Sequence, residues 1–237
     1  MKQCLIQEAM SKVELKVDWA THEAAKYACL NWHYSRVIPK SKLVKIGVWE
    51  DGKFIGVVIF GTGASPQISN PYSLAKNEVC ELVRIALTKH KSTVSKILSL
   101  SIKFLKNTNP GIRLIVSYAD PLQGHNGSIY QANNWIYEGK TKPCEWFRIA
   151  KTGEMVHSHS YRRGRRGRAT IDKKMGIIES VKLVKHKYLM PLDKKMRKQI
   201  LPLAQPYPKR SKQAMDATSI TAMGQHQSDR STEASHA

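Results

Sequence analysis

Between Ile115 and Trp135 the chain reads IVSYADPLQGHNGSIYQANNW. Ser117, Tyr118, Asp120, Gln123, His125, Asn126, Ser128 and Tyr130 fall within fourteen residues, with Gly124 and Gly127 among them. A carboxylate that takes or orients a proton and a phenol that gives one are the two ends of an acid–base reaction. Asp120 suits the first task and Tyr130 the second. Each residue also has a structural use: Ser128 as a helix cap, Asp120 as a turn former before Pro121, and Tyr130 as core. Taken jointly, the cluster reads as functional.

Three further groups carry chemistry. In Asn31-Trp32-His33-Tyr34-Ser35-Arg36, His33 is the side chain most easily poised for proton transfer near neutral pH, and Trp32 or Tyr34 can stack on a base. The alternative is a helix end anchored by Trp32. In Glu81-Leu82-Val83-Arg84, strand alternation predicts Glu81 and Val83 on one face, Leu82 and Arg84 on the other. An arginine in so apolar a strand needs a partner: a structural acid, or a substrate or catalytic carboxylate such as Asp120. Lys89-His90-Lys91-Ser92-Thr93 precedes a predicted helix, whose free amides with neighbouring lysines can hold phosphate. Lys91, Ser92, Thr93 and Ser95 are the candidate cofactor ligands there. For metal, His33, His90, His125, His157 and His159 are candidates without HExxH spacing, and the sequence leaves the metal requirement open.

The elements that must position these groups are legible from pattern. VELKVDWA (13–20) alternates as a strand, and residues 21–32 read as a helix capped by Thr21. Two β-rich runs meet at Asp51-Gly52, the residues a type I′ hairpin prefers. A strand at 78–88 and a helix at 92–108, ended by Asn109-Pro110-Gly111, lead to the strand RLIVSYAD. Then follow a short helix over 127–135, a strand IYEGKT, a hairpin turning at Thr152-Gly153, and one late strand over 181–192. The order β-α-β-β-β-α-β-α-β predicts a mixed α/β fold.

Charge limits the partners. The 237 residues carry a formal charge of +21, of which 14 lie between Lys151 and Lys212, where 18 basic residues meet four acids. A polyanion is the expected partner and double-stranded DNA the default. Arg36, Arg162, Arg163, Arg165, Arg166, Arg168, Lys185 and Lys187 are the candidate backbone contacts, with Trp32 as a base contact. No apolar run is long enough to span a bilayer. The start MKQCLIQEAMSKVELK lacks a signal-peptide core, and Cys4, Cys29, Cys80 and Cys144 form no C-x-x-C pair, so a reducing cytoplasm is expected. The predicted organisation is a catalytic region at 1–160, a basic DNA-binding extension at 161–210 packed on it, and a disordered tail at 211–237.

The pieces ELVRIALT and IYQANNWIYEG resemble the GNAT acyltransferase fold, in which a tyrosine at the place of Tyr130 commonly protonates the leaving thiolate. A closer resemblance, carried by NWHYS, ELVRIAL, VSYADPxxGHxGxIYQAxNW and KHKYLMPLDKKMRK, is to the phage Mom DNA-modification family, across roughly residues 27–210. That resemblance implies conversion of adenine N6 to its carbamoylmethyl derivative in phage DNA, within the host cytoplasm, as protection from restriction. It implies catalytic roles for His33, Tyr34, Arg84, Ser117, Asp120 and Tyr130. Acetyl-CoA is one candidate donor, and iron or another metal is a candidate cofactor. The R-x-x-G-x-G/A phosphate loop of GNAT enzymes is replaced by Thr88–Ser95, TKHKSTVS, which has no glycine. Lysines and hydroxyls would there stand in for glycine amides. A homodimer is compatible with the sequence. Two rivals are an N-acetyltransferase acting on a protein or small-molecule amine, and a non-catalytic nucleic-acid-binding protein, which would leave the 115–135 cluster unused.

Overall fold

The computed structural model describes residues 13–63, 65–153, 155–158 and 176–208. The chain divides into two compact units. The first holds the chain to Ser117 with Ile129–Ile136 and Leu189–Leu203; the second holds Tyr118–Ser128, Tyr137–Tyr188 and the chain from Ala204. The strands are β1 (Leu15–Trp19), β2 (Leu43–Glu50), β3 (Lys53–Gly61), β4 (Val79–Leu87), β5 (Leu114–Ala119), β6 (Ile136–Lys140), β7 (Cys144–Ile149), β8 (Met155–His157), β9 (Ile177–Leu183) and β10 (His186–Pro191). The helices are α1 (His22–Trp32), α2 (Val94–Thr108), α3 (Ser128–Gln131) and α4 (Lys194–Ile200). A seven-stranded sheet runs β1-β2-β3-β4-β5-β10-β6, and a three-stranded sheet runs β8-β7-β9. With β1 to β4 antiparallel and β4 parallel to β5, the large sheet is mixed, as the element order predicts.

In the first unit, Thr21 Oγ1 accepts from Ala24 N and starts α1. Ala25, Ala28 and Cys29 of α1 are fully buried against Val57, Ile59 and Ala86. Small side chains on that face bring the helix close to the sheet. The β2–β3 turn has φ of 49° at Asp51 and 77° at Gly52, the doubly positive pair of a type I′ turn. On α2, Ile97, Leu98, Ser101 and Leu105 form the buried stripe, at the spacing of one helical face. Asp193 caps α4 by accepting from Met196 N at 2.7 Å. The same carboxylate receives Arg113 Nε at 2.8 Å, and Arg113 Nη1 lies 3.7 Å from Glu78.

In the second unit, β7 pairs antiparallel with both β8 and β9. An apolar group of Tyr137 and Tyr188, with ring centroids 5.1 Å apart, includes the buried His186, whose Nδ1 is 2.8 Å from Tyr137 OH.

Two expectations are corrected. The stretch 181–192 is not one strand: β9 ends at Leu183, β10 starts at His186, and the two lie in different sheets. Lys185 donates its N–H to Thr141 Oγ1 and accepts from Thr141 N at 2.9 Å, so its backbone serves a loop. The helix expected over 127–135 is the single turn α3, because Asn133, Asn134 and Trp135 return their amides to Tyr130 and Gln131 as turns. The basic block 161–175 and the tail from 211 lie outside the described residues.

Candidate active site

The tip of β5 supplies the first pair. Ser117 is 1% exposed. Its Oγ lies 2.8 Å from Tyr130 OH and 3.1 Å from the carbonyl of Leu82. A serine hydroxyl has one proton and two acceptor lone pairs. The single Ser117 proton goes to Tyr130 Oη or to Leu82 C=O, and when it goes to Tyr130 the phenol's own proton is directed away from Ser117. Tyr130 is 8% exposed. Trp135 fixes it from the next turn, with ring centroids 4.9 Å apart and Trp135 N donating to Tyr130 O. The sequence placed both residues in the cluster but did not show that they touch.

Arg84 stands on β4. Ile59 pairs with Arg84 while Phe60 pairs with Leu82, so Val83 is an extra residue, a bulge. The expected alternation therefore fails here. Arg84 shares the face of Ile59 and Ala86, beneath α1, and Val83 packs against that same cluster. Arg84 Nη1 donates to Val83 C=O at 2.7 Å. Its Nε is buried and has no hydrogen-bond partner among the described residues. A buried guanidinium nitrogen left this way is a donor awaiting an acceptor. Burial pushes the Cys29 thiol up, and the Arg84 charge opposes that shift.

His33 is the C-cap of α1. Its Nδ1 accepts from Ser35 N at 3.1 Å and lies 2.8 Å from Ser35 Oγ. With Nδ1 an acceptor, the neutral ring carries its proton on Nε2. Tyr34 is 55% exposed and its ring lies 4.2 Å from that of His33. Arg36 is exposed in a left-handed turn, φ 46°. Trp32 packs on Tyr27 and Phe54 at 5.3 and 6.0 Å, the anchoring use named as its alternative.

The second unit holds Asp120. Its carboxylate lies 3.4 Å from Lys185 Nζ. Its carbonyl accepts the amides of Gln123 and His125, both at 3.1 Å, which closes the turn after the strand. Lys185 also lies 5.5 Å over the Trp146 ring. Lys187 pairs with Glu138 at 3.0 Å and is 18% exposed. Both lysines were expected on DNA phosphates; here each faces a carboxylate of its own chain. The loop is held from below by Tyr188, whose OH donates to Asn126 C=O at 2.6 Å. Gly127 has φ 82°, and a Cβ there would run into the Tyr188 ring. Tyr188 is a supporting residue that the sequence reading missed, although it lies inside the motif KHKYLMPLDKKMRK.

At the start of α2, the candidate phosphate ligands are engaged by the chain itself except for Ser92 Oγ, which is buried with no partner in hydrogen-bonding geometry among the described residues. Lys91 N and Ser92 N donate to the two carboxylate oxygens of Glu50, at 2.7 and 2.8 Å. Lys91 Nζ lies 3.5 Å from Asp51. Thr93 Oγ1 caps Lys96 N at 3.3 Å and receives Ser95 Oγ at 3.2 Å. Glu50 is 6% exposed. Burial pushes its carboxyl up, but the Lys91 amide, the Ser92 hydroxyl and the Ser92 amide together hold it below the usual range. Glu50 was invisible in the sequence, since nothing marks the residue before a tight turn as a partner for a loop forty residues on. Among the described residues, no three His, Cys, Asp or Glu side chains gather as a metal site. His159 and the five arginines from Arg162 to Arg168 lie outside them.

A mixed α/β chain with a buried serine–tyrosine pair at a strand tip and an unmatched arginine donor thus stands on a strongly basic background. Its residues 14–209 match the model of the Mom protein family, and the chain belongs to that family. It is similar to the methylcarbamoylase Mom of Escherichia phage Mu, 25% identical over 210 residues, which cover 83% of this chain and 84% of the relative. Among solved structures it is similar to an aminoglycoside acetyltransferase in complex with coenzyme A, with TM-score 0.46, 11% identity and coverage of 78% of this chain and 98% of that one. It is also similar to a GNAT-family acetyltransferase from Streptococcus pneumoniae, with TM-score 0.42, 9% identity and coverage of 76% and 100%. No helix among the described residues is long and apolar enough to cross a membrane.

Proposed function

We propose that this chain is a DNA-modifying transferase that converts adenine to N6-carbamoylmethyladenine in phage DNA and so protects it from host restriction. The observation that carries this reading is the family match across residues 14–209, together with the relative named methylcarbamoylase. The Ser117–Tyr130 pair, a hydroxyl bonded to a phenol at a strand tip, supports an acid–base role.

The target N6 is engaged in pairing inside a duplex, so the base must leave the stack. Tyr34, exposed and with its ring 4.2 Å from that of His33, or Trp32 would stack on it in this reading. Adenine N6 is a poor nucleophile, and its proton must leave as the new bond forms. Asp120, its carboxylate steadied by Lys185, takes that role in this reading, aided by His33 as a hydrogen-bond donor through Nε2–H. Tyr130 gives its own phenol proton to the departing group while Ser117 Oγ–H donates to Tyr130 Oη and steadies the phenolate that forms. Arg84 Nε offers a fixed positive donor to charge that develops in the transition state. That Nε has no protein acceptor among the described residues supports this role for Arg84. Arg36 and the arginines from Arg162 to Arg168 hold the phosphate backbone, a contact that positions the duplex without reading sequence. Acetyl-CoA as donor is compatible with the fold family and conflicts with the Glu50-bound loop; no step above runs through it.

The direct functional test is protection. DNA from cells expressing the chain should resist restriction enzymes whose sites contain adenine, while DNA from cells expressing Tyr130→Phe should be cut normally. Equal digestion of both, with the wild-type protein folded and abundant, contradicts the reading.

A further inference from the structure

An anion belongs at the start of α2. The amides of the first turn have no partner within the helix and carry the positive end of its dipole. In the GNAT fold that the sequence resembles, a glycine-bearing loop at this place holds the cofactor's pyrophosphate. Here the loop between β4 and α2 has the same two functional donors, the amides of Lys91 and Ser92, and a carboxylate already lies on both. That carboxylate comes from Glu50, the last residue of β2, forty-odd positions earlier in the chain. The contact is not a surface accident. Glu50 is 6% exposed and Ser92 8%. Each Glu50 oxygen takes a separate amide, at 2.7 and 2.8 Å, which are charge-assisted lengths. Asp51, next in the chain, is drawn to Lys91 Nζ at 3.5 Å, so the lysine nearest these amides is also engaged.

We propose that Glu50 is a built-in substitute for the donor's phosphate: it occupies the loop permanently, so the group donor docks without a pyrophosphate at the start of α2. This inference does not depend on which base is modified or on whether DNA is the acceptor. A pyrophosphate brought to the Glu50 carboxylate meets like charge across a buried contact, and such juxtapositions are strongly unfavourable. The missing glycines follow from the same cause. A side-chain carboxylate reaches the amides from one edge, whereas a pyrophosphate needs close approach along the whole loop, which a glycine-bearing backbone allows.

The test reads the loop itself, because a chain of net charge +21 will bind phosphates elsewhere. Amide resonances of Lys91 and Ser92 are followed while inorganic pyrophosphate, and separately coenzyme A, is added to wild type, Glu50→Gln and Glu50→Ala. In the wild type neither ligand should move those two resonances. In Glu50→Ala both should shift them saturably, with an apparent affinity at that site at least about tenfold above any wild-type response, and Glu50→Gln should fall between. Wild-type shifts of Lys91 and Ser92 on adding coenzyme A overturn the proposal outright. So does a Glu50→Ala protein whose loop stays silent. If the variants do not fold, the wild-type titration still decides, since saturable shifts of those two amides contradict the proposal and their absence supports it.

Discussion

At the residue scale, the account rests on the hydroxyl line from Tyr130 through Ser117 to Leu82. Tyr130→Phe removes the acid and leaves Ser117 its bond to Leu82 C=O. Stability should therefore fall by only about 1 kcal/mol, while modification falls by about 10²–10⁴-fold. Denaturation midpoints and nucleoside analysis separate the two effects. Ser117→Ala disturbs the same line from its other side. Because the two act as a unit, the double variant should be no less active than Tyr130→Phe alone; additive losses would show that they act separately. Asp120→Ala should abolish product while DNA retention on a filter persists, and surviving product would remove Asp120 from its role. The residue types of this site were plain in the sequence. Their contacts were not, because Ser117 and Tyr130 are joined by the fold of a loop and a single helical turn, which no periodicity reports. The face of Arg84 was misread for a related reason: one bulged residue, Val83, reverses the alternation on which a strand reading depends.

At the scale of elements, two supports set the stability. Asp193 caps α4 and holds Arg113. Asp193→Ala should cost about 1 kcal/mol for the cap, measurable by chemical denaturation. The Arg113 contact holds the Asp193 carboxyl below its ordinary value, and the Lys91 and Ser92 donors do so for Glu50 against the upward push of burial. Burial, aided by the Lys140 charge, lowers His186. In all three cases the unfolded chain binds protons that the folded chain resists. This stability is full above the ordinary value of each group and is lost as pH falls through the lowered one. Melting temperature should thus decline first through the histidine range and then through the carboxylate range. His186→Gln should flatten the first stage, and an unchanged profile would show that His186 does not set it. Strand positions and the helices α1 and α2 were legible up to β5 because periodicity, caps and the Asp51-Gly52 turn agree, whereas α3 shrank to a single turn. The break between β9 and β10 was not, because lysines alternate with apolar residues across it and only the Thr141 contact to the Lys185 backbone divides the run.

At the scale of the whole molecule, the proposed encounter with DNA is a matter of charge. A net +21 concentrated in the last third predicts binding that is strong, largely indifferent to sequence and steeply salt-dependent. If six to ten phosphates are neutralised, affinity should fall by roughly 10³–10⁵-fold between about 50 and 200 mM salt. Replacing Arg162, Arg163, Arg165, Arg166 and Arg168 together with glutamine should flatten that slope, whereas Lys187→Gln, which removes a cation already paired with Glu138, should change it little. Composition pointed to a polyanion partner but could not show that Lys185 and Lys187 face carboxylates of their own chain, since paired and unpaired lysines look alike in sequence.

The central claim is that this chain alkylates adenine N6 in DNA with Tyr130 as its acid. Mass spectrometry of nucleosides from the DNA of cells expressing wild type or Tyr130→Phe, both shown to be folded, tests it most directly. The account predicts N6-carbamoylmethyl-deoxyadenosine from the wild type and a loss to trace or none from the variant. Unmodified deoxyadenosine alone from the wild type, or equal product from both, would contradict it.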